Sequence, residues 1–225
     1  MKEKISERKI KQKGEIGFQG KNSSAWAAGT AFLALFMLSC PPGFSPNDPV
    51  LTKPLDQLTD QDLSRMVANV STNYGSFRIQ LHPEWAPQTC RNFIKLVRAG
   101  FYDGLTFHEV MPGIWIRGGD PKGDGTGGPG WNVKMEKPIG KLSRGAGGLY
   151  HPNFAPDEGG SQFFILLKDC PHLNGVFTVF GQVIEGMATV ERIGNMPVTP
   201  GAGKPRPYMP LSAVIIKDIH LEAKK

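Results

Sequence analysis

The chain reads as a mainly β protein: about eight short strands closed into a β-barrel, with a helix over each end. Three observations point there. Glycine (28) and proline (19) together make up about a fifth of the 225 residues, so turns are frequent. Short apolar or alternating runs recur between these turn-forming clusters. Only two segments have convincing helical spacing, and no internal repeat is visible.

Taken in order, residues 66–71 and 76–81 alternate apolar and polar around Thr72-Asn73-Tyr74-Gly75, a β-hairpin pattern. Residues 86–100 follow. Pro87 near the start, Phe93, Leu96 and Val97 at helical spacing and Gly100 at the end mark a helix of about three turns, with Cys90 a buried or half-buried helix residue. Residues 106–110 and 114–118 form two short strands around Pro112-Gly113, and residues 118–131 a long glycine-rich loop. Residues 162–167 and 176–183 are apolar strand runs, residues 187–193 a short helix and residues 212–221 a final strand.

The N-terminal part is different in kind. Its first 39 residues hold seven Lys/Arg against three Glu, a local +4 out of the total of +6. Residues 25–39 run fifteen residues without a charge and end at Cys40. A basic stretch followed by a short apolar run is the pattern of a secretory leader, and the run is shorter than the roughly 20 residues of a membrane span. Met37-Leu38-Ser39-Cys40 resembles a bacterial lipoprotein box, which makes Cys40 the expected lipidation site and residues 1–40 the leader. An uncleaved apolar anchor, or cleavage without lipidation, is the other reading. Five prolines between 41 and 54 point to an extended tether over 41–65, with at most one short helix, before the folded domain near Met66.

Several classes fall away. The folded part carries little net charge and no basic stripe, which argues against nucleic acid as a partner. Cys40, Cys90 and Cys170 are odd in number and lack CxxC spacing, and the five histidines form no ligand pair, so neither a disulfide framework nor a metal site is expected. Gly123-Asp124-Gly125-Thr126-Gly127-Gly128 matches GxGxxG in form. It runs on into Pro129-Gly130 instead of opening a helix, so nucleotide binding is not expected.

The segments TNYGSFRIQL, APQTCRNFIKLVRAGFYDGLTFH, PGIWIRGGDPKGDGTGGPGW and GGSQFFILLKDCPHLNGVFTVFGQVIEGM, in unbroken order, resemble the cyclophilins over about residues 66–222. The resemblance implies an eight-stranded antiparallel barrel capped by two helices. It implies cis–trans isomerisation of the peptide bond before proline, with no cofactor. Its partners would be proline-containing peptides and unfolded or exported proteins, with a membrane reached through the lipid on Cys40. A monomer in the bacterial cell envelope is the expected form.

By the same resemblance Phe164, Leu173 and Gln162 match the family's proline pocket, with Ile114 and Trp115 as its altered wall and His172 and Phe177 at its margin. Gly145-Ala146 aligns loosely with the family's Ala-Asn or Ala-Arg, and no groove contact is assigned to this loop. The family's catalytic arginine follows Phe-His, but here Phe107-His108 is followed by Glu109. An ionised carboxylate only accepts hydrogen bonds. Arg117 stands where the family has a glutamine in the same groove. Two readings follow: Arg117 has taken over the catalytic donor with Glu109 orienting it, or the pair is a structural bridge in a groove that only binds peptides.

Overall fold

The computed structural model describes residues 43–136, 139–152, 155, 157–201 and 208–224. Residues 1–40, with the expected leader and Cys40, lie outside the described residues. Nine strands form one sheet: β1 (Phe44–Ser45), β2 (Met66–Thr72), β3 (Gly75–Leu81), β4 (Glu109–Met111), β5 (Trp115–Gly118), β6 (Ala146–Leu149), β7 (Phe163–Leu166), β8 (Thr178–Glu185) and β9 (Ile216–Lys224). Their order is β1-β9-β2-β3-β8-β6-β7-β5-β4, antiparallel at every step. Among the described residues three α-helices join them: α1 (Asp60–Ser64), α2 (Pro87–Arg98) and α3 (Met187–Gly194).

The sheet is an open, curled half-barrel of nine strands, which corrects the expectation of a closed eight-stranded barrel. The reason lies at its edges. β1 takes one end of the outer edge of β9, through Phe44↔Lys224 and Ser45↔Ala223. At the other end residues 104–107 meet residues 214–216 through one bridge, Thr106↔Ile215, and three backbone hydrogen bonds: Gly104 N–H to Ile216 O and Ile216 N–H to Leu105 O, both 2.8 Å, and Phe107 N–H to Val214 O at 2.9 Å. β4 is three residues long, and no ladder joins it to β9.

Residues 43–65 also differ from the expected tether. Two 3-10 turns and α1 lay Val50, Leu58 and Leu63 into the main core. Thr59 and Asp62 form a capping box at the start of α1, and Arg65 pairs with Asp48 at 2.5 Å. The prolines prevent long helices but not packing.

Period-2 alternation divides the sheet between two apolar clusters. On one face Val110, Ile116, Phe163 and Ile165 join Phe77, Ile79, Phe107 and Phe180 against α2 residues Cys90, Phe93, Ile94 and Val97. The other face carries Trp115, Phe164 and Leu166, packed with Leu142, Ala146, Cys170, Phe177 and Val179. Cys90 and Cys170 are both buried free thiols. Helix α2 starts without a side-chain cap of its own. Glu136 supplies one from a distant loop, accepting from Gln88 N–H (2.9 Å), Thr89 N–H (2.7 Å) and the Thr89 hydroxyl (2.6 Å). No helix among the described residues is long and apolar enough to cross a membrane.

Candidate active site

The Pro112-Gly113 turn folds β4 back on β5 so that Glu109 lies directly opposite Arg117. The same row continues across the sheet, Arg117↔Phe164 and Phe164↔Gly148. Directly paired residues share a face, so Glu109, Arg117 and Phe164 stand side by side on the face of the second cluster. Gly148 completes the row because a Cβ there would come 2.1 Å from Phe164 Cζ. A residue without a side chain is what lets the ring lie flat over β6.

The charges meet in a bidentate pair. Arg117 Nη2 donates to Glu109 Oε2 at 2.6 Å and Nε to Oε1 at 3.2 Å. Trp115 Nε1 also donates to Glu109 Oε1, at 2.8 Å. The remaining terminal nitrogen, Nη1, donates to Gln162 Oε1 at 2.9 Å. Side-chain exposure is 8% for Arg117 and 14% for Glu109, so the pair is largely dry. A guanidinium has five N–H groups, and these contacts use three, leaving two. The Tyr150 ring covers one face of the guanidinium, with Cζ 3.9 Å from its centroid.

Gln162 has a narrower role than a substrate donor. Its Nε2 donates to Gly125 O (3.0 Å) and Gly127 O (2.8 Å), so both amide hydrogens are engaged, and the residue is 2% exposed. It ties Arg117 to the glycine-rich loop. Asp120 closes that loop by accepting from the N–H groups of Lys122, Asp124 and Gly125. Gly125 has φ +87°, a left-handed conformation suited to glycine, and a Cβ there would approach Arg117 Nη2 to 3.4 Å. Among the described residues no helix stands between this loop and β6.

The other expected residues divide by exposure. Phe164 and Phe177 are fully buried and Trp115 nearly so, with rings in mutual contact at centroid distances of 5.1–6.3 Å. They form the base of the cluster. Ile114 and Leu173 are half-buried against it and supply its accessible apolar surface. His172, on the 3-10 turn Pro171–Leu173, is exposed and is not part of the cluster. His108 lies behind the row, and burial, aided by the neighbouring Arg117 charge, lowers its pKa to about 4.

Gly145-Ala146, to which no groove contact was assigned, lies at the start of β6. Gly145 N–H donates to Leu166 O, and an added Gly145 Cβ would meet Gln182. It is Tyr150 whose N–H donates to Gln162 O at 2.9 Å and whose ring sits on Arg117. Tyr150 also helps line an adjacent cavity of about 710 Å³, with Gly125, Gly127, Trp131 and Gln162. Only the β6–β7 register reveals this residue, because no motif marks it. Among the described residues no three His, Cys, Asp or Glu side chains are grouped to hold a metal ion.

The family model described as cyclophilin type peptidyl-prolyl cis-trans isomerase/CLD matches residues 67–220. Peptidyl-prolyl cis-trans isomerase B of Bacillus subtilis is 50% identical over 116 residues, which are 52% of this chain and 81% of that protein. A Helicobacter pylori peptidyl-prolyl cis-trans isomerase is 38% identical over 149 residues, 65% of this chain and 90% of the relative. A crystal structure of a Cryptosporidium parvum cyclophilin, determined in the presence of the dipeptide Ala-Pro, superposes with a TM-score of 0.63. It is 33% identical, and the match covers 71% of this chain and 98% of that one.

Proposed function

The chain belongs to the cyclophilin-type peptidyl-prolyl cis-trans isomerases, and from that premise we propose that it twists X-Pro amides with Arg117 as the catalytic donor and Glu109 as the group that aims it. The observation that carries the reading is the buried bidentate pair, which leaves two guanidinium N–H groups unspent.

Rotation about a peptide bond is opposed by amide resonance, with a barrier of about 18–20 kcal/mol. The reaction needs no nucleophile and no proton transfer. In the twisted state the proline nitrogen turns pyramidal and gains a lone pair. An N–H held beside it stabilises that state more than the planar amide, and this difference raises the rate. The proline ring rests on the apolar surface of Ile114 and Leu173, over Trp115 and Phe164. Glu109, which cannot donate, holds the arginine so that no reorganisation is needed as the amide twists. The ligand class is a proline-containing peptide, as with Ala-Pro in the Cryptosporidium neighbour.

The wider role we propose is folding of exported proteins at the bacterial cell envelope. The support is the basic leader, the apolar run and Cys40 as a lipid attachment point, with the enzyme acting as a monomer. Incorporation of labelled fatty acid that disappears in Cys40→Ser tests the anchor.

Turnover of an Ala-Pro-Phe peptide by the full chain tests the catalyst. Arg117→Gln is expected to lower kcat by about 10²–10³, the usual cost of removing one preorganised donor. Unchanged turnover in Arg117→Gln would sink the assignment. An inactive parent that gains activity in Glu109→Arg would identify a binding module instead.

A further inference from the structure

We propose that Tyr150 is a positioning residue for isomerisation, acting through the face of Arg117. The inference rests on Arg117 being the donor.

The argument starts from what hydrogen bonds can hold. The contacts of Arg117 with Glu109 and Gln162 use its N–H groups and so lie near the guanidinium plane. Contacts of that kind resist sliding within the plane. They resist tilting out of it poorly, because a hydrogen bond weakens only gradually for moderate bends. The donors must nevertheless aim at one point, where the lone pair of the twisted nitrogen develops. A flat ring against the face opposes tilt directly, and Tyr150 is that ring, 3.9 Å from Cζ.

Tyr150 is itself fixed from two directions. Its backbone N–H is tied to Gln162 O, and its ring stacks on the fully buried Phe177, with centroids 6.0 Å apart and planes 23° apart. The guanidinium therefore rests on a ring that rests on the core. Stacking also stabilises the cation in a site with little water, since the face of an aromatic ring is electronegative. The phenol hydroxyl has no part in this, so the ring alone should suffice.

The test measures kcat and KM separately for the full chain on the Ala-Pro-Phe peptide. Tyr150→Leu is expected to lower kcat by about ten- to thirtyfold while leaving KM within about twofold, the size of a desolvated cation–π contact. Tyr150→Phe should restore most of the turnover. In an Arg117→Lys background, which keeps the charge and its attraction to the ring but has no planar face to steady, Tyr150→Leu should cost clearly less than in the parent. If Tyr150→Leu raises KM at constant kcat, the ring is a wall of the neighbouring cavity and the proposal is wrong. An equal loss in both backgrounds overturns it too. Thermal unfolding checks that each variant is folded, and Tyr150→Met gives the same readout if the leucine variant is not. A silent Arg117→Gln removes the underlying catalytic reading. A collapsing Arg117→Gln beside a silent Tyr150→Leu removes only this inference.

Discussion

Replacing Glu109 by glutamine removes one charge and little volume. Arg117 keeps its bond to Gln162 but loses a two-point partner in a site where its side chain is only 8% exposed. At an effective dielectric near 20, opposite charges about 4 Å apart attract by roughly 4 kcal/mol, before the cost of desolvation. Breaking a buried pair from one side typically costs about 3–5 kcal/mol, because the other charge stays behind. Glu109 retains some solvent contact, and a glutamine carbonyl can still accept from Trp115 Nε1, so about 2–3 kcal/mol is the expected loss. For a domain of this size that is a fall in Tm of roughly 5–10 °C. Denaturant titration should show a lower midpoint with an unchanged m-value. Turnover should fall as well, through kcat, because the donor is less well aimed. A Glu109→Gln chain with parental Tm and parental kcat would refute both the energetic role of the pair and its orienting role.

Two further predictions concern stability. Glu136→Ala should uncap α2 and cost about 1–2 kcal/mol in denaturant titration, with little change in KM, since its carboxylate serves Gln88 and Thr89. Acidification should weaken the fold through His108. Its pKa is held at about 4 against an ordinary 6.5, so between those values the unfolded chain binds the proton and the folded chain does not. The contribution is absent above pH 6.5, grows as pH falls to about 4, and reaches at most about 3 kcal/mol. His151, also depressed by burial, acts in the same direction. A His108→Phe chain should show a shallower loss over this window, and an unchanged slope would remove His108 as the cause.

The hairpin and α2 were legible because each is coded locally, by alternation around a turn and by spacing between Pro87 and Gly100. The closeness of Glu109 and Arg117 was legible through the family resemblance, which puts both positions in one groove; the register across the Pro112-Gly113 turn pairs them directly. Tyr150 was not. Its place depends on how the 146–149 strand registers with residues 163–165, and that register is set by the Gly148–Phe164 fit across the sheet. The open sheet was hidden for a comparable reason, because counting strands says nothing about which edges meet. The folding of residues 43–65 was masked by composition. Three prolines interrupt the stretch, and the residues that anchor it, Val50, Leu58 and Leu63, are scattered among polar neighbours.

The pairing of β1 with the last residues of β9 has a topological consequence. The described chain starts and finishes on adjacent strands, with Lys224 N–H also donating to Arg65 O. The two ends of the described part therefore meet in space. Joining residue 224 to residue 43 through a short glycine linker and opening the chain at the exposed Asn174–Gly175 turn should therefore give a circular permutant with the same sheet order. In that permutant β1 and β9 become neighbours in sequence, and their contact changes from one of the longest loop closures in the molecule to one of the shortest.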